Sequence, residues 1–279
     1  MQFVKARLIP HAPRSGPENM ALDEYLVSWH RRTGRPVFRL YAWNPPAISL
    51  GRYQKIECVD RDACRADGVD IVRRITGGSA IFHDRELTYS LVCTADDLNQ
   101  RPTTIPEYYE IINRFLIVFY RWLGFRAIYA KDSADARAGA GQHAAFCFSS
   151  NEKYDIMING KKIGGNAQRR IGKVVLQHGS IPLFIDRERI ARYFRGAMDG
   201  ARFTSLAEIT GRDPDIAMKT RLLAESFSET TGMRLYQEDI TLDEMVAINS
   251  LMNKKYLDSR WTLGGRAEDN EIPAAGMAR

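Results

Sequence analysis

The sequence predicts an α+β fold, with mixed β-sheets flanked by helices, and three observations carry that expectation. Short alternating or apolar runs, bounded by Gly, Pro and Asn, cluster over 37–93 and 154–183 and read as strands. Between them, Ile111, Ile112, Phe115, Leu116, Phe119, Trp122 and Leu123 recur at helical spacing. That apolar stripe is wide, as in a helix buried against a sheet. From residue 186 onward the pattern is helical, most clearly over 216–232 and 242–256.

Each element has a local cause. Ser15 and Glu18 have capping-box spacing and Pro17 suits a first turn, so a helix starts there. Leu22, Tyr25, Leu26 and Trp29 form its core face, and Gly34-Arg35-Pro36 ends it. Strands over 37–41 and 47–50 flank the turn Asn44-Pro45-Pro46, where the prolines cost no ladder bond. A helix is expected over 58–68, a strand over 71–74 and another over 88–93. Residues 130–145 are rich in Ala, Gly and polar residues and read as a mobile loop. Residues 154–158 alternate as a strand, and Asn159-Gly160 is a two-residue hairpin turn. The returning strand, 161–165, bends at Gly164 and Gly165, and a further strand covers 174–178. The last stretch, 266–279, reads as a flexible tail.

Composition narrows the class. With 44% hydrophobic and 27% charged residues the chain is that of a globular protein large enough for a sizeable core. No run approaches the length of a membrane helix, and the first residues lack a signal-peptide core, so a cytoplasmic protein is expected. Four cysteines, Cys58, Cys64, Cys93 and Cys147, form no CxxC pair and no disulfide framework. The net charge of +6 is spread along the chain, without a Lys/Arg tract or a nucleic-acid motif. A basic surface can meet nucleic acid or acidic carrier proteins, but charge alone favours a solvated surface over any partner.

Two stretches carry candidate chemistry. Arg73-Arg74-Ile75-Thr76-Gly77-Gly78-Ser79 runs from a strand into a glycine turn, where backbone N–H groups can approach a ligand, and His83-Asp84 follows. An ordinary turn beside solvated arginines is the competing reading. In the second stretch, Lys162 lies two residues before Gly164-Gly165, whose missing side chains leave room for a ligand. Lys161 faces the other way and is solvated. Cys147 precedes the hairpin; an isolated thiol is mostly protonated at neutral pH unless a cation assists it.

These stretches together resemble the lipoate–protein ligase and octanoyltransferase family, which belongs with the biotin ligases. The resemblance also rests on Asn19-Met20-Ala21-Leu22-Asp23-Glu24, on Pro46-Ala47-Ile48-Ser49-Leu50-Gly51-Arg52-Tyr53-Gln54, on Gln177-His178-Gly179-Ser180-Ile181, and on Lys255-Tyr256 with Trp261. It implies a biotin/lipoyl-ligase-like fold, with one catalytic domain over 1–265 and a core over about 33–248. The family pattern Lys-x-x-Gly-x-Ala falls on Lys162, Gly165 and Ala167 and implies that Lys162 meets the acyl carbonyl. Arg73, Gly77, Gly78 and His83 are implied to line the acyl pocket, and His178 to shape it. Where the family has three glycines this chain has Gly77-Gly78-Ser79, and the added Ser79 side chain is expected either to narrow the pocket or to weaken phosphate binding.

In the cysteine-dependent octanoyltransferase branch a cysteine just before the hairpin is the acyl-thioester nucleophile, and Cys147 holds that place. The resemblance then implies octanoyl transfer from octanoyl-acyl carrier protein to a lysine of a lipoyl domain or glycine cleavage H protein, without cofactor, metal or nucleic acid. An ATP-dependent lipoate–protein ligase, which needs no such thiol, and a lipoyl-domain amidotransferase are the competing enzymes. A binding module without turnover is the non-enzymatic alternative.

Overall fold

A computed structural model describes residues 3–100, 102, 104–133, 153–194, 202–212 and 215–264. Its backbone is a six-stranded mixed sheet in the order β10-β11-β6-β2-β1-β12. Here β1 is Lys5–Arg14, β2 Val37–Trp43, β6 Glu86–Cys93, β10 Gly165–Ile171, β11 Val174–Pro182 and β12 Arg234–Gln237. Strands β10, β11, β6 and β2 pair antiparallel, while β1 runs parallel to both β2 and β12.

Helices cover both faces. On one side α1 (Gly16–Thr33) packs Met20, Leu22, Leu26 and Trp29 with Val37, Tyr41 and Leu176, together with Ile248 of α7 (Leu242–Leu251). On the other, α3 (Ile105–Trp122) and α6 (Ile216–Thr231) bury Phe115, Phe119, Leu223 and Phe227 against Phe38, Tyr89 and Leu91. Phe38 stacks on Phe227 with ring centroids 4.2 Å apart. A second sheet, β4 (Asp70–Arg73), β3 (Ala47–Leu50) and β5 (Ile81–His83), has its own core with α2 (Arg61–Ala66) and α4 (Arg187–Tyr193). A third joins β7 (Ala127–Tyr129), β8 (Ile156–Ile158) and β9 (Lys161–Lys162).

The local signals act as expected at the helix ends. Ser15 caps α1 by accepting from the Glu18 amide, and Gly34 closes it in the left-handed region at φ 66°. At α3 the Thr104 and Glu107 pair forms a full capping box. Asn159 and Gly160, at φ 50° and 73°, make the β8–β9 turn.

Several elements differ from expectation. The strands over 37–43 and 47–50 belong to different sheets. The strand after the hairpin breaks in two at Gly164, so β9 and β10 also lie in different sheets. Gly164 has φ +89°, and a Cβ there would sit 2.2 Å from the Ser180 carbonyl oxygen, so only glycine fits. The helix expected over 58–68 is confined to α2, and the one over 242–256 ends in a π-helical turn at Met252–Tyr256. β12 interrupts the region of helical pattern. Most of the 130–145 loop and the 266–279 tail lie outside the described residues. None of the described helices is long and apolar enough to cross a membrane.

Candidate active site

The six-stranded sheet, the β4-β3-β5 sheet and α1 converge on a cavity. Met20, Tyr41, Trp43 and Ile81 form its apolar wall, Gly165 and Ala167 bring the β10 backbone close, and Ser49, Arg74, His83, Thr88, His178 and Ser180 supply polar groups. All of these side chains come from stiff strands or a helix, apart from Arg74, which follows directly on β4. A site of this kind is preorganised by packing rather than by loops.

Arg74 is the hub. Its Nε donates to Thr76 Oγ1 (3.2 Å), Nη1 to the carbonyl and hydroxyl oxygens of Ser49 (2.7 and 3.2 Å), and Nη2 to the carbonyls of Gly77 and Ser79 (2.7 and 2.8 Å). The glycine turn therefore aims the Gly77 and Ser79 carbonyls at a buried guanidinium. Gly51 lets this turn pack: a Cβ there would lie 1.8 Å from the Gly78 carbonyl oxygen. Gly77 is half-buried and Gly78 exposed, and the cavity wall is formed by neither.

Two imidazole–carboxylate pairs flank Arg74. His178 Nε2 is 2.7 Å from Thr76 Oγ1, and its Nδ1 is 3.1 Å from Asp23 Oδ2. Asp23 also accepts from Arg39 Nη1 (2.7 Å), Tyr41 Oη (3.0 Å) and Ser90 Oγ (2.8 Å). On the other side His83 stacks on Trp43, with centroids 3.9 Å apart, and its two nitrogens reach Ser49 Oγ (2.7 Å) and Glu86 Oε1 (2.9 Å). Glu86 accepts in addition from Trp43 Nε1 (3.2 Å), Thr88 Oγ1 and Ser180 Oγ (2.6 Å).

Burial alone would raise both acids. Hydrogen bonding from His178 and the charge of Arg39 hold Asp23 below the usual carboxylate range, and His83 with its neighbouring donors does the same for Glu86. Burial pushes His178 below the usual histidine value, and Arg74 adds to this, while Asp23 pulls the other way. All three groups bind protons more readily unfolded than folded. Their contribution to stability is therefore present at high pH, starts to fall below about pH 6.5 as unfolded His178 would protonate, and falls further below about 4.5 through the carboxylates. Asp70 and Asp84, half-buried and shifted upward by burial, act in the opposite direction at acid pH. Unfolding free energies from urea titrations across this range should decline monotonically toward acid; a flat profile would contradict the assignment.

Lys162 lies outside that network. Its side chain is buried, and Nζ is 2.7 Å from Asp155 Oδ2. Its backbone is clamped between Arg202 and Thr204, through hydrogen bonds of 2.9 Å each. Three residues on, Gly165 pairs with Ser180 at the cavity wall.

Arg73 requires a correction: it does not line the cavity, and Arg74 does. Successive residues of a strand point oppositely, so Arg73 turns away and binds carbonyls of Gly51 (2.7 Å), Gln54 (2.6 Å), Trp261 (3.1 Å) and Thr262 (3.1 Å). Trp261 Nε1 returns a bond to the Arg73 carbonyl (2.9 Å), so Arg73 fastens α8 (Ser259–Gly264) to β4. Arg73→Met should destabilise the protein by about 2 kcal/mol or more, since several bonds to a charged group are lost. Amide exchange should rise more over 259–264 than in β6 and β11; a uniform rise would contradict this role.

His83, Gly165 and Ala167 are brought to the cavity, while Cys147 lies outside the described residues. Asp23, Ser49, Glu86 and Asp155 join the candidate site through contacts that the sequence did not single out for chemistry. Among the described residues no cluster of His, Cys, Asp or Glu is arranged to hold a metal.

Comparison with known families fits this arrangement. The model of the lipoyl protein ligase A/B catalytic domain matches residues 15–228. The chain belongs to that family. Its relatives include an octanoyltransferase LipM of Symbiobacterium thermophilum, 37% identical over 92% of this chain and 97% of that protein. Another, octanoyltransferase LipM of Kyrpidia tusciae, is 36% identical over 91% of this chain and 97% of that protein. Among solved structures, a lipoate-protein ligase A bound with ATP has a TM-score of 0.78 at 23% identity, covering 94% of this chain and 100% of that one. A bi-partite lipoate protein ligase of Thermoplasma acidophilum has a TM-score of 0.77 at 22% identity, covering 96% and 100%. At such identity the likeness establishes the family's α+β fold alone.

Proposed function

We propose that this chain is a protein N-octanoyltransferase of lipoate biosynthesis, with residues 1–265 acting as one catalytic domain in the cytoplasm. The observation that carries this is its 36–37% identity, across nine-tenths of both chains, to proteins named octanoyltransferase LipM. The buried Lys162, ion-paired to Asp155 and three residues before the cavity-lining Gly165, supports it.

The reaction has two steps. The Cys147 thiolate attacks the thioester of octanoyl-acyl carrier protein, the pantetheine thiol leaves, and octanoyl-Cys147 forms. A lysine amine of a lipoyl domain or glycine cleavage H protein then attacks, giving N6-octanoyl-lysine. Lys162, a cation held in place by Asp155, favours the thiolate and stabilises the oxyanion in both steps. The thioester is already activated, so adenylation by ATP is redundant. His83, Gly165 and Ala167 form part of the acyl pocket.

The test compares donors. Octanoyl-acyl carrier protein without ATP should octanoylate an apo lipoyl domain at one lysine, detected by mass. Modification only with free octanoate plus ATP would make the protein a ligase and overturn the proposal.

A further inference from the structure

Ser49, His83 and Glu86 form a hydrogen-bond chain that opens into the cavity and that the two-step transfer above leaves idle. Ser49 Oγ lies 2.7 Å from His83 Nε2, and His83 Nδ1 lies 2.9 Å from Glu86 Oε1. Ser49 and His83 both line the cavity, and Glu86 is buried behind them. An ionised carboxylate only accepts hydrogen bonds, so Glu86 keeps the imidazole proton on Nδ1. Nε2 is then an acceptor, to which the Ser49 hydroxyl donates, and Arg74 Nη1 donates to Ser49 Oγ from the other side (3.2 Å). The ring is fixed by its stack on Trp43, and Glu86 by donors from Trp43, Thr88 and Ser180. A base within hydrogen-bond reach of a cavity hydroxyl, and itself oriented by a third group, is the geometry of general-base catalysis.

The chain also stands at the correct end of the cavity. Ser180, 2.6 Å from Glu86, pairs across β10–β11 with Gly165, three residues after Lys162. The rival pair, His178 with Asp23, sits opposite Ala167, two residues further along β10, and its carboxylate is already committed to Arg39.

We infer that Ser49 and His83 are the proton acceptor for the incoming lysine, with Glu86 as the residue that positions His83. This rests on the acyl-transfer reading above. The acceptor lysine arrives as an ammonium ion, which has no lone pair for attack. Its first proton passes to Ser49 Oγ as the hydroxyl proton moves to His83 Nε2, and Glu86 stabilises the imidazolium that forms. The neutral nitrogen attacks the thioester carbonyl. The C–N bond forms, the C–S bond breaks, and the second nitrogen proton goes to the departing sulfur. Amide and thiol are produced, and His83 releases its proton to solvent.

The experiment separates the half-reactions. Wild type, Ser49→Ala, His83→Gln and Glu86→Gln are loaded from octanoyl-acyl carrier protein, and the bound octanoyl group is followed by intact mass. The loaded enzymes are discharged with an apo lipoyl domain or with hydroxylamine, an amine already neutral at neutral pH. Discharge is measured per loaded enzyme, so slower loading in variants that alter the cavity lining does not enter it. Discharge to the lysine should slow by roughly 10²–10³-fold in His83→Gln and by less in the other two, the usual range for loss of a general base. Discharge to hydroxylamine should be unchanged. Equal losses with both amines, no loss with either, or a loss in loading as large as the loss in discharge to the lysine would each overturn the inference. A wild type that never loads removes the transferase reading itself, and this inference with it.

Discussion

Lys162→Met is expected to remove both activity and much of the stability, and adding Asp155→Asn to restore only the stability. Both side chains are buried, with 1% and 6% exposure, and their charged atoms are 2.7 Å apart. Removing Lys162 takes the ammonium away from the buried Asp155 carboxylate, at a cost of about 3–5 kcal/mol. Replacing both by neutral residues of similar size is close to neutral by the same reasoning. The chemistry does not recover this way, because a methionine cannot stabilise an oxyanion; loss of one such donor slows catalysis roughly 10²–10³-fold. Urea unfolding and octanoyl-transfer rates on the single and double variants separate the two effects. A double variant that regained both would mean that the ammonium is structural only.

Asp23→Ala should also have a large effect on stability, again about 3–5 kcal/mol, since it takes the carboxylate from the buried Arg39 and leaves it facing the neutral oxygens of Asn19. Arg39, 1% exposed, lies over Tyr41 at 3.8 Å and cannot turn to solvent without breaking that contact. The same substitution removes the acceptor of Tyr41, Ser90 and His178 at once. Asp23→Asn keeps one acceptor oxygen and should cost less. Thermal and urea unfolding check this; a loss under about 1 kcal/mol, the size of a surface change, would contradict it.

Much of this was legible because the signals are local. The apolar stripe of α3, the Asn159-Gly160 turn and the caps at Ser15 and Gly34 each act within a few residues. β1 was not legible, because its buried Arg7 reads as a solvated residue until its partner is known. That partner, Glu244, lies 237 positions away and takes both Nη atoms, at 2.7 and 2.8 Å. The same holds for Asp23 and Glu86, whose contacts with His178 and Ser180 span 155 and 94 positions. Arg73 and Arg74 could not be told apart, because alternation places them on opposite faces without saying which face holds the cavity. Asp155 carried one weak sign, a charge beside the apolar strand Ile156–Ile158. The family motifs supplied Lys162, His83, Gly165 and Ala167, but not the buried carboxylates that hold two of them in place.

The central claim is that the acyl group passes through Cys147. Intact mass after incubation with octanoyl-acyl carrier protein, in the absence of ATP, tests it most directly. The account predicts one octanoyl adduct, discharged by hydroxylamine and absent in Cys147→Ala. An adduct that persists in Cys147→Ala, or octanoylation of the acceptor by that variant at the wild-type rate, would contradict it.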